Sequence, residues 1–395
     1  MRESLASTRQ EKDDPTADLH SHLAHAGPTT ILISMAKKRS SNSRAPSQRE
    51  LQKLDREILE LINRRCELSV QRSKLSRAAI EQPLAQHAAA IDQIVQRNQG
   101  PLDDTAVRAA FRELLSGCRA LEQPERVAFL GPEFTYSHLA AVERFGQSAE
   151  LVPVGSIASV FEEVEQGQVD FGLVPIENST DGRVVDALEC LSRSQAKICG
   201  EVALRIRHCL LGLGSRKEVS KVYSKAQPLS QCRKWLVSHL PQAELCEVAS
   251  TALAAKKAIG DRSCAAIASR QAGVNHSLKV LAHDIQDHPD NLTRFVVIGS
   301  DMGDRTGNDK TSLVFELKHE PGALADGMSI FKRQRLNLTW IESFPVPGKR
   351  GRYYFFVELQ GHPRDLRVRR ALASLEKKAV RLTILGSYAQ SGPIG

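Results

Sequence analysis

The feature that most constrains the fold is an alternation, between residues 126 and 298, of short apolar runs with stretches of helical periodicity. The runs are rich in β-branched residues, whereas the segments between them repeat apolar residues at three- and four-residue steps. Strands that alternate with helices predict an open α/β sheet, whose ligands bind at strand ends. We predict strands at residues 126–130, 151–154, 171–176, 202–213, 219–223, 264–268 and 294–298, and helices at residues 156–166 and 229–239.

The preceding segment is predicted to be a helical domain. Apolar residues recur with helical spacing at residues 51–77, 84–96 and 103–121, and Pro83 ends the first helix. Three such helices leave an apolar stripe uncovered, so we expect a homodimer or a higher homo-oligomer. Residues 1–45 are polar and lack sustained periodicity, which indicates a disordered leader. Met35 is an alternative start, so whether residues 1–34 are translated stays open.

The C-terminal segment follows a polar, Gly-rich linker at residues 300–310. Its pattern is strand, helix, strand, strand, helix, strand, which is the order of a ferredoxin-like unit. Behind a larger domain, such a unit suggests regulation. The strands are predicted at residues 312–317, 337–344, 353–359 and 380–385, and the helices from Pro321 and at residues 364–377.

Composition limits the classes of ligand and partner. The eight cysteines form no C-x-x-C pair and no Cys/His cluster at zinc spacing, so we expect no metal site and a reducing, cytoplasmic location. No run approaches the roughly 18 apolar residues of a membrane helix, which argues against a membrane protein. The net charge of +8 is spread along the chain among acidic residues, which argues against nucleic acid and suits a small polyanionic substrate.

Four motifs of the α/β segment resemble those of prephenate dehydratases. They are GPEFTYSHLAA at 131–141, VPIENSTDGRV at 174–184, SKAQPLSQC at 224–232 with STALAA at 250–255, and NLTRFVVIG at 291–299. The resemblance implies a two-lobed α/β, periplasmic-binding-protein-like catalytic domain at residues 125–301. This domain would convert prephenate to phenylpyruvate, water and carbon dioxide in phenylalanine biosynthesis, with neither metal nor organic cofactor. The family's usual glycine after G-P-E is Phe134 here, a departure expected to reshape the turn.

The C-terminal unit, at residues 311–389, resembles an ACT domain through EPGAL at 320–324 and IESFP at 341–345. The resemblance implies feedback by phenylalanine, bound between two copies of the chain. Phe344 replaces the arginine that the family commonly has, which leaves the affinity for phenylalanine open. The residues implied in phenylalanine binding are Gly322, Ala323, Leu324, Glu342 and Ser343.

The helical segment, at residues 46–123, resembles all-helical chorismate mutase domains through KLDREILELINRRCELS at 53–69. The resemblance places Arg65 where that family holds a substrate carboxylate, and Lys74 follows on the same helix. Other positions of the mutase pattern are missing, since the Arg-Glu pair expected on the second helix falls at residues 86–90. Whether the domain converts chorismate to prephenate therefore stays open.

The implied reaction needs few groups. Prephenate carries two carboxylates and a hydroxyl, so the site must hold the carboxylates and assist the departing hydroxyl. Hydroxyl and amide donors are sufficient for this. The motifs suggest as catalytic residues Thr293, Asn178 and Gln231, and as substrate-binding residues Ser137, Ser179, Thr180, Thr251 and Arg294.

Several of these residues keep a second interpretation. Thr293 is expected to donate to the leaving hydroxyl, whereas Arg294 points to the opposite face of the strand and either binds substrate or forms a structural ion pair. Residues 178–180 also fit an ordinary turn, and Ser137 fits a helix cap. His208 is a conceivable acid, but a lone histidine is more often structural.

Two other functions are consistent with the same residues. Arogenate dehydratase acts on a substrate that differs from prephenate only in an amino group on the side chain. A non-catalytic, amino-acid-responsive binding protein would use the same kind of two-lobed sheet.

Overall fold

The computed structural model describes residues 47–75, 84–346 and 348–394 of the 395-residue chain. The chain separates into two units, residues 1–55 and residues 56–395. In the first unit, the described residues begin helix α1 (Gln48–Leu75). The Ser47 amide donates to the Glu50 carboxylate over 2.6 Å and the Glu50 amide donates to the Ser47 hydroxyl over 3.3 Å, so the helix begins with a capping box.

The second unit starts with the rest of the helical segment, which confirms the predicted helical class. After α1 come α2 (Leu84–Val95) and α3 (Asp104–Glu122). Asp103 caps α3 by accepting a backbone amide over 2.7 Å. The predicted helix end near residue 77 and Pro83 lies outside the described residues. Between residues 56 and 75, α1 exposes the apolar side chains of Ile58, Leu59, Leu61 and Leu68.

The first lobe of the α/β domain is a twisted sheet with helices on both faces. Its elements are β1 (Arg126–Leu130), α4 (Tyr136–Phe145), β2 (Glu150–Val154), α5 (Ile157–Glu165), β3 (Phe171–Asn178), β4 (Gly182–Arg183), α6 (Val185–Arg193) and β5 (Lys197–Arg205), and much later β11 (Leu292–Gly299). Alternate residues of β1 serve opposite faces. Val127 and Phe129 pack with α4, whereas Ala128 packs with α5 and α6.

The second lobe has its own five-stranded sheet, in the order β10-β6-β9-β7-β8. Its elements are β6 (Cys209–Gly212), β7 (Lys221–Ser224), α7 (Ala226–Gln231), α8 (Arg233–His239), β8 (Glu244–Glu247), α9 (Thr251–Ala258), β9 (Cys264–Ala268), α10 (Arg270–Asn275) and β10 (Lys279–Ala282). The chain enters this lobe after β5 and returns before β11. The α/β class predicted from the alternation is confirmed.

One predicted strand is wrong. Residues 202–213 form no continuous strand, because β5 ends at Arg205 in the first sheet and β6 begins at Cys209 in the second. The connection between them is a crossing between lobes, and the Ile206 amide donates to the Asn291 carbonyl on the returning segment over 2.8 Å. The strand-like alternation continues through the crossing because Ile206 and His208 are buried, whereas Arg207 between them is exposed.

The C-terminal unit has the predicted βαββαβ order. Its elements are β12 (Asp309–Leu317), α11 (Ala323–Arg333), β13 (Leu338–Pro345), β14 (Tyr353–Gln360), α12 (Leu366–Glu376) and β15 (Ala379–Ala389), followed by the short β16 (Pro393–Ile394). The strand order β13-β14-β12-β15 is that of a ferredoxin-like sheet. One face is covered by α11 and α12, which bury Phe331 and Leu375.

This unit joins the first lobe through its sheet. β15 lies beside β5, where Gly386 pairs with Ile198. A Cβ atom on Gly386 would overlap the backbone of Ile198, so the close approach requires glycine. The sheet face opposite the helices packs on the first lobe, since Phe344 and Phe356 share a core with Ile176.

Candidate active site

Thr293 and Asn178 are brought together by strand register, because they are direct partners on antiparallel β11 and β3. The Asn178 Nδ2 donates to Thr293 Oγ1 over 2.8 Å and to Asn291 Oδ1 over 3.0 Å. The Asn178 Oδ1 accepts the amides of Thr180 and Asp181 over 3.0 and 3.1 Å, which fixes the orientation of the side-chain amide. Since Thr293 Oγ1 accepts from Asn178, the hydroxyl proton of Thr293 is free to be donated elsewhere.

Gln231 brings the second lobe into the same network. Its side chain is buried, and Oε1 accepts from Asn291 Nδ2 over 3.0 Å. The His208 Nε2 lies 2.9 Å from the same oxygen, so this nitrogen carries the proton. The Gln231 Nε2 donates to Asp181 Oδ2 over 2.6 Å. Side chains from both lobes and from the crossing segments therefore form one connected polar cluster.

His208 occupies the lobe crossing rather than an open surface. It is 1% exposed, and its Nδ1 lies 3.1 Å from the Tyr136 hydroxyl. Burial lowers the pKa of His208, and the favourable contacts with Gln231 and Asp181 oppose this only in part. The structural interpretation of this histidine is therefore favoured, with a neutral ring that orients Gln231.

The lowered pKa of His208 predicts a loss of stability in acid. The unfolded chain binds a proton at His208 near the usual pKa of about 6.5, whereas the folded chain resists it, so stability falls as the pH drops through that value toward the lower folded pKa. Urea unfolding at pH 7.5 and pH 5.5 checks this. His208→Gln keeps a donor for Gln231 but does not titrate. Between pH 7.5 and pH 5.5 this variant should therefore lose less free energy of unfolding than the wild type. An equal loss in both proteins would refute the assignment.

The predicted substrate-binding residues lie in two settings. Ser179 and Thr180 border the cluster, since the Leu292 amide donates to the Ser179 hydroxyl over 2.9 Å and the Thr180 hydroxyl donates to Asn291 over 3.4 Å. Ser137 and Thr251 are buried in the first turns of α4 and α9. The caps of these helices are the preceding Thr135 and Ser250, which accept backbone amides.

Arg294 forms ion pairs, which was one of the two interpretations left open. Its guanidinium donates to Glu177 over 2.8 Å, to Glu358 over 2.7 Å and to Glu201 over 3.2 Å. Lys310 also binds Glu201, over 2.9 Å. Burial alone would lower the pKa of Arg294, but the carboxylates of Glu358 and Glu201 raise it instead. The assignment of Arg294 to substrate binding is therefore corrected, because these carboxylates occupy its guanidinium.

Phe134 keeps the backbone conformation that glycine would favour. Its φ is 64°, in the left-handed region, which costs a non-glycine residue roughly 1–2 kcal/mol. The ring packs against the core of the second lobe and lies 5.3 Å from the ring of His138. Contact across the lobes offsets the strain, and the expected reshaping of the turn stays a prediction.

Three residues of the cluster were missed by sequence reasoning: Asp181, Gln227 and Asn291. Asp181 lies in the loop after β3, and its carboxylate accepts from Gln231 over 2.6 Å and from Gln227 over 2.5 Å. Asn291 opens the NLTRF motif, and its place in that motif was the one available signal.

The remaining predicted residues lie outside this cluster. Gly322 has a φ of 80° and precedes α11, whose first residues are Ala323 and Leu324. Glu342 accepts a hydrogen bond from Arg183 over 2.7 Å, and Ser343 is exposed. On α1, Arg65 and Lys74 are exposed.

Residues 47–75, 84–346 and 348–394 contain neither a cluster of metal-ligating side chains nor a membrane-spanning helix. In these ranges no group of three or more His, Cys, Asp or Glu side chains is placed to hold a metal ion. No helix in them is both long and apolar enough to cross a membrane.

Comparison with known proteins gives consistent matches. The prephenate dehydratase family model matches residues 127–303, and the chorismate mutase type II model matches residues 48–123. The bifunctional chorismate mutase/prephenate dehydratase of Stutzerimonas stutzeri is 41% identical over 348 residues, 86% of this chain and 95% of the relative. The protein of the same description from Pseudomonas aeruginosa is 40% identical over 347 residues, with the same coverage. A solved prephenate dehydratase from Arthrobacter aurescens, in complex with L-Phe, is 32% identical, with a TM-score of 0.62 over 67% of this chain and 90% of that one.

Proposed function

Because the chain belongs to the bifunctional chorismate mutase/prephenate dehydratase family, we propose that it converts prephenate to phenylpyruvate, water and carbon dioxide. The observation that carries the proposal is the convergence of Thr293, Asn178 and Gln231 on one polar cluster between the lobes. Their donors are neutral and fixed in orientation, which suits a dianionic substrate whose leaving hydroxyl needs a hydrogen bond.

In the proposed mechanism, Thr293 donates its free proton in a hydrogen bond to the departing hydroxyl of prephenate. Asn178 holds Thr293 Oγ1 over 2.8 Å, so the donor needs no reorientation as the C–O bond breaks. The ring carboxylate leaves as carbon dioxide, and the electron pair of the broken C–C bond enters the ring. The hydroxyl departs as water with a proton that Thr293 relays from solvent. The resulting aromaticity drives the reaction forward.

The direct test is phenylpyruvate formation by purified protein supplied with prephenate. Absence of phenylpyruvate would overturn the proposal and leave the binding-protein alternative, which predicts retention of ligand without turnover. Parallel assays with arogenate separate the two dehydratases, because a larger kcat/KM on arogenate would reassign the substrate.

We also propose that residues 46–123 form a mutase domain that supplies prephenate from chorismate, supported by the family match over residues 48–123. Arg65 and Lys74, both exposed on α1, are the proposed carboxylate partners. Arg65→Ala in the full chain should reduce chorismate consumption while prephenate turnover is retained. Equal loss of both activities would contradict a separate mutase site.

For the C-terminal unit we propose an ACT domain at residues 311–389 that binds phenylalanine as a feedback effector. Its strand order supports this, as does the solved relative that holds L-Phe. The proposed ligands are Gly322, Ala323, Leu324, Glu342 and Ser343, shared between two copies of the chain. We propose a homodimer, in which a second copy also covers the exposed apolar residues of α1, and a cytoplasmic location, since the described cysteines are free thiols.

A prediction follows from the Arg183–Glu342 ion pair, which joins the C-terminal unit to β4 beside Asp181. Arg183→Ala should weaken the inhibition by phenylalanine, by no more than about fivefold, because partly exposed pairs contribute about 1 kcal/mol or less. The measurement is the inhibition constant, with Arg207→Ala, which removes another exposed ion pair, as control. Unchanged inhibition in Arg183→Ala would exclude this ion pair from the coupling, and an isothermal titration of the wild type without heat would exclude the effector.

A further inference from the structure

Asp181 is a carboxylate of the first lobe held by two amides of the second. The Nε2 atoms of Gln227 and Gln231 lie 2.5 and 2.6 Å from the same oxygen, Asp181 Oδ2. The two glutamines are four residues apart on α7, so their side chains project from one face of the helix. Together they form a two-donor receptor for a carboxylate oxygen.

The receptor is fixed by contacts behind it. Gln231 Oε1 is engaged by Asn291 Nδ2 and His208 Nε2, so its Nε2 must face Asp181. Gln231 is 6% exposed, and a buried amide without an acceptor costs roughly 1–3 kcal/mol. The exposed Asp181 satisfies this amide when no other carboxylate is present.

The position of the receptor relates it to the reaction. Asp181 follows Asn178 in a loop whose amide groups donate to Asn178 Oδ1, and Asn178 donates to Thr293. Gln231 is joined to the same Asn178 through Asn291. A carboxylate bound by Gln227 and Gln231 would therefore belong to a molecule that also reaches Thr293.

We propose that Gln227 and Gln231 form the subsite for one carboxylate of the substrate, and that Asp181 occupies this subsite until the substrate displaces it. The inference rests on the proposed function and adds to it a substrate-binding residue, Gln227, and an internal competitor, Asp181. Two carboxylates cannot share the same pair of donors. The apparent affinity for substrate is thus the intrinsic affinity multiplied by the fraction of molecules in which Asp181 has left the subsite.

Two single substitutions should act in opposite directions. Asp181→Ala removes the competitor and should lower the KM for prephenate by about tenfold, the factor that corresponds to about 1.4 kcal/mol of competing interaction. Gln227→Met removes a donor at nearly constant volume and should raise the KM by about tenfold. The effect of Gln227→Met should persist, or grow, when Asp181 is already alanine. Asp186→Ala, which removes the same charge from an exposed position on α6, is the control and should change the KM less than twofold.

The other outcomes contradict the proposal. If both substitutions raise the KM, the contact between Asp181 and the two glutamines serves to hold the lobes together and does not compete with substrate. If Asp181→Ala and Asp186→Ala lower the KM alike while Gln227→Met changes nothing, Asp181 acts only by long-range repulsion. If the KM stays constant in Asp181→Ala, the carboxylate does not compete. If the wild type forms no phenylpyruvate, the proposed function has failed, and equilibrium titration of prephenate into the same variants still tests the subsite, with dissociation constants in place of KM.

Should Gln227→Met fail to fold, Gln227→Glu is the second variant. It keeps the shape but presents an anion to the substrate carboxylate, so it should raise the KM more than the loss of the donor does. A KM equal to that of the wild type would overturn the role of Gln227.

Discussion

Thr293→Val should lower kcat for phenylpyruvate formation by about 10²–10³-fold with a small change in KM, the size of effect seen when one well-placed donor is removed from an active site. Valine has the shape of threonine but no hydroxyl, so the strand and its pairing with Asn178 should persist. The loss should appear in kcat because the donor acts on the departing oxygen rather than on the bound carboxylates. Steady-state kinetics with prephenate are the measurement.

Thr293→Ser is the matched control, since it keeps the hydroxyl and the acceptor for Asn178 Nδ2. It should retain most of the activity, reduced only by the looser rotamer of serine. Asn178→Leu should approach the loss of Thr293→Val, and the double variant should be little worse than either, because the two residues act as one unit. An active Thr293→Val enzyme, within about threefold of the wild type, would remove Thr293 from the mechanism.

Local patterns predicted the elements that form this site, because they depend on neighbours in the sequence. The apolar run that became β3 and the polar residues that follow it placed Asn178 at a strand end. The same reasoning placed Thr293 at the start of β11. Alternation along that strand also separated Thr293 from Arg294, and the structure places the two in different polar networks.

The contacts between lobes could not be predicted, because they depend on where the chain crosses from one sheet to the other. The run at residues 202–213 looks continuous, yet its middle residues, including His208, form the crossing. The hydrogen bond between His208 and Gln231 could not be predicted, because local patterns do not show that the helix of Gln231 lies beside the crossing. The contacts of Asp181 with Gln227 and Gln231 could not be predicted for the same reason.

The ion pairs of Arg294 show the same limit for the C-terminal unit. Periodicity predicted the strand that carries Glu358, but it assigned Lys310 to the linker before β12 and did not predict that this sheet would lie on the first lobe. Phe344 lies in the apolar core between the C-terminal sheet and the first lobe, with its ring centroid 5.1 Å from that of Phe356. The residue that departs from the ACT pattern is thus an interface residue, which gives a physical reason why arginine is absent there.

Arg294→Met should lower the free energy of unfolding by about 3–5 kcal/mol, the range found when one partner of a buried ion pair is removed. Glu358 and Glu201 are 1% and 4% exposed. Without Arg294, Lys310 would be the one cation left in this cluster of charged side chains, beside three carboxylates. The other residues of the cluster come from β3, β5, β14 and β12, so the loss should loosen the C-terminal unit from the first lobe. Urea unfolding at pH 7 gives the measurement, with fluorescence of Trp340, which lies beside Arg294, as a local probe.

Arg294→Lys separates charge from geometry. Lysine keeps the positive charge but cannot reach three carboxylates as the planar guanidinium does, so the loss should be clearly smaller than in Arg294→Met, though not zero. Equal losses would mean that geometry alone matters, and a loss below about 1 kcal/mol in Arg294→Met would mean that the carboxylates find other partners or water. In the second case the buried cluster would not be what joins the C-terminal sheet to the strand of Thr293, and the apolar core around Phe344 and the strand pairing at Gly386 would have to join them.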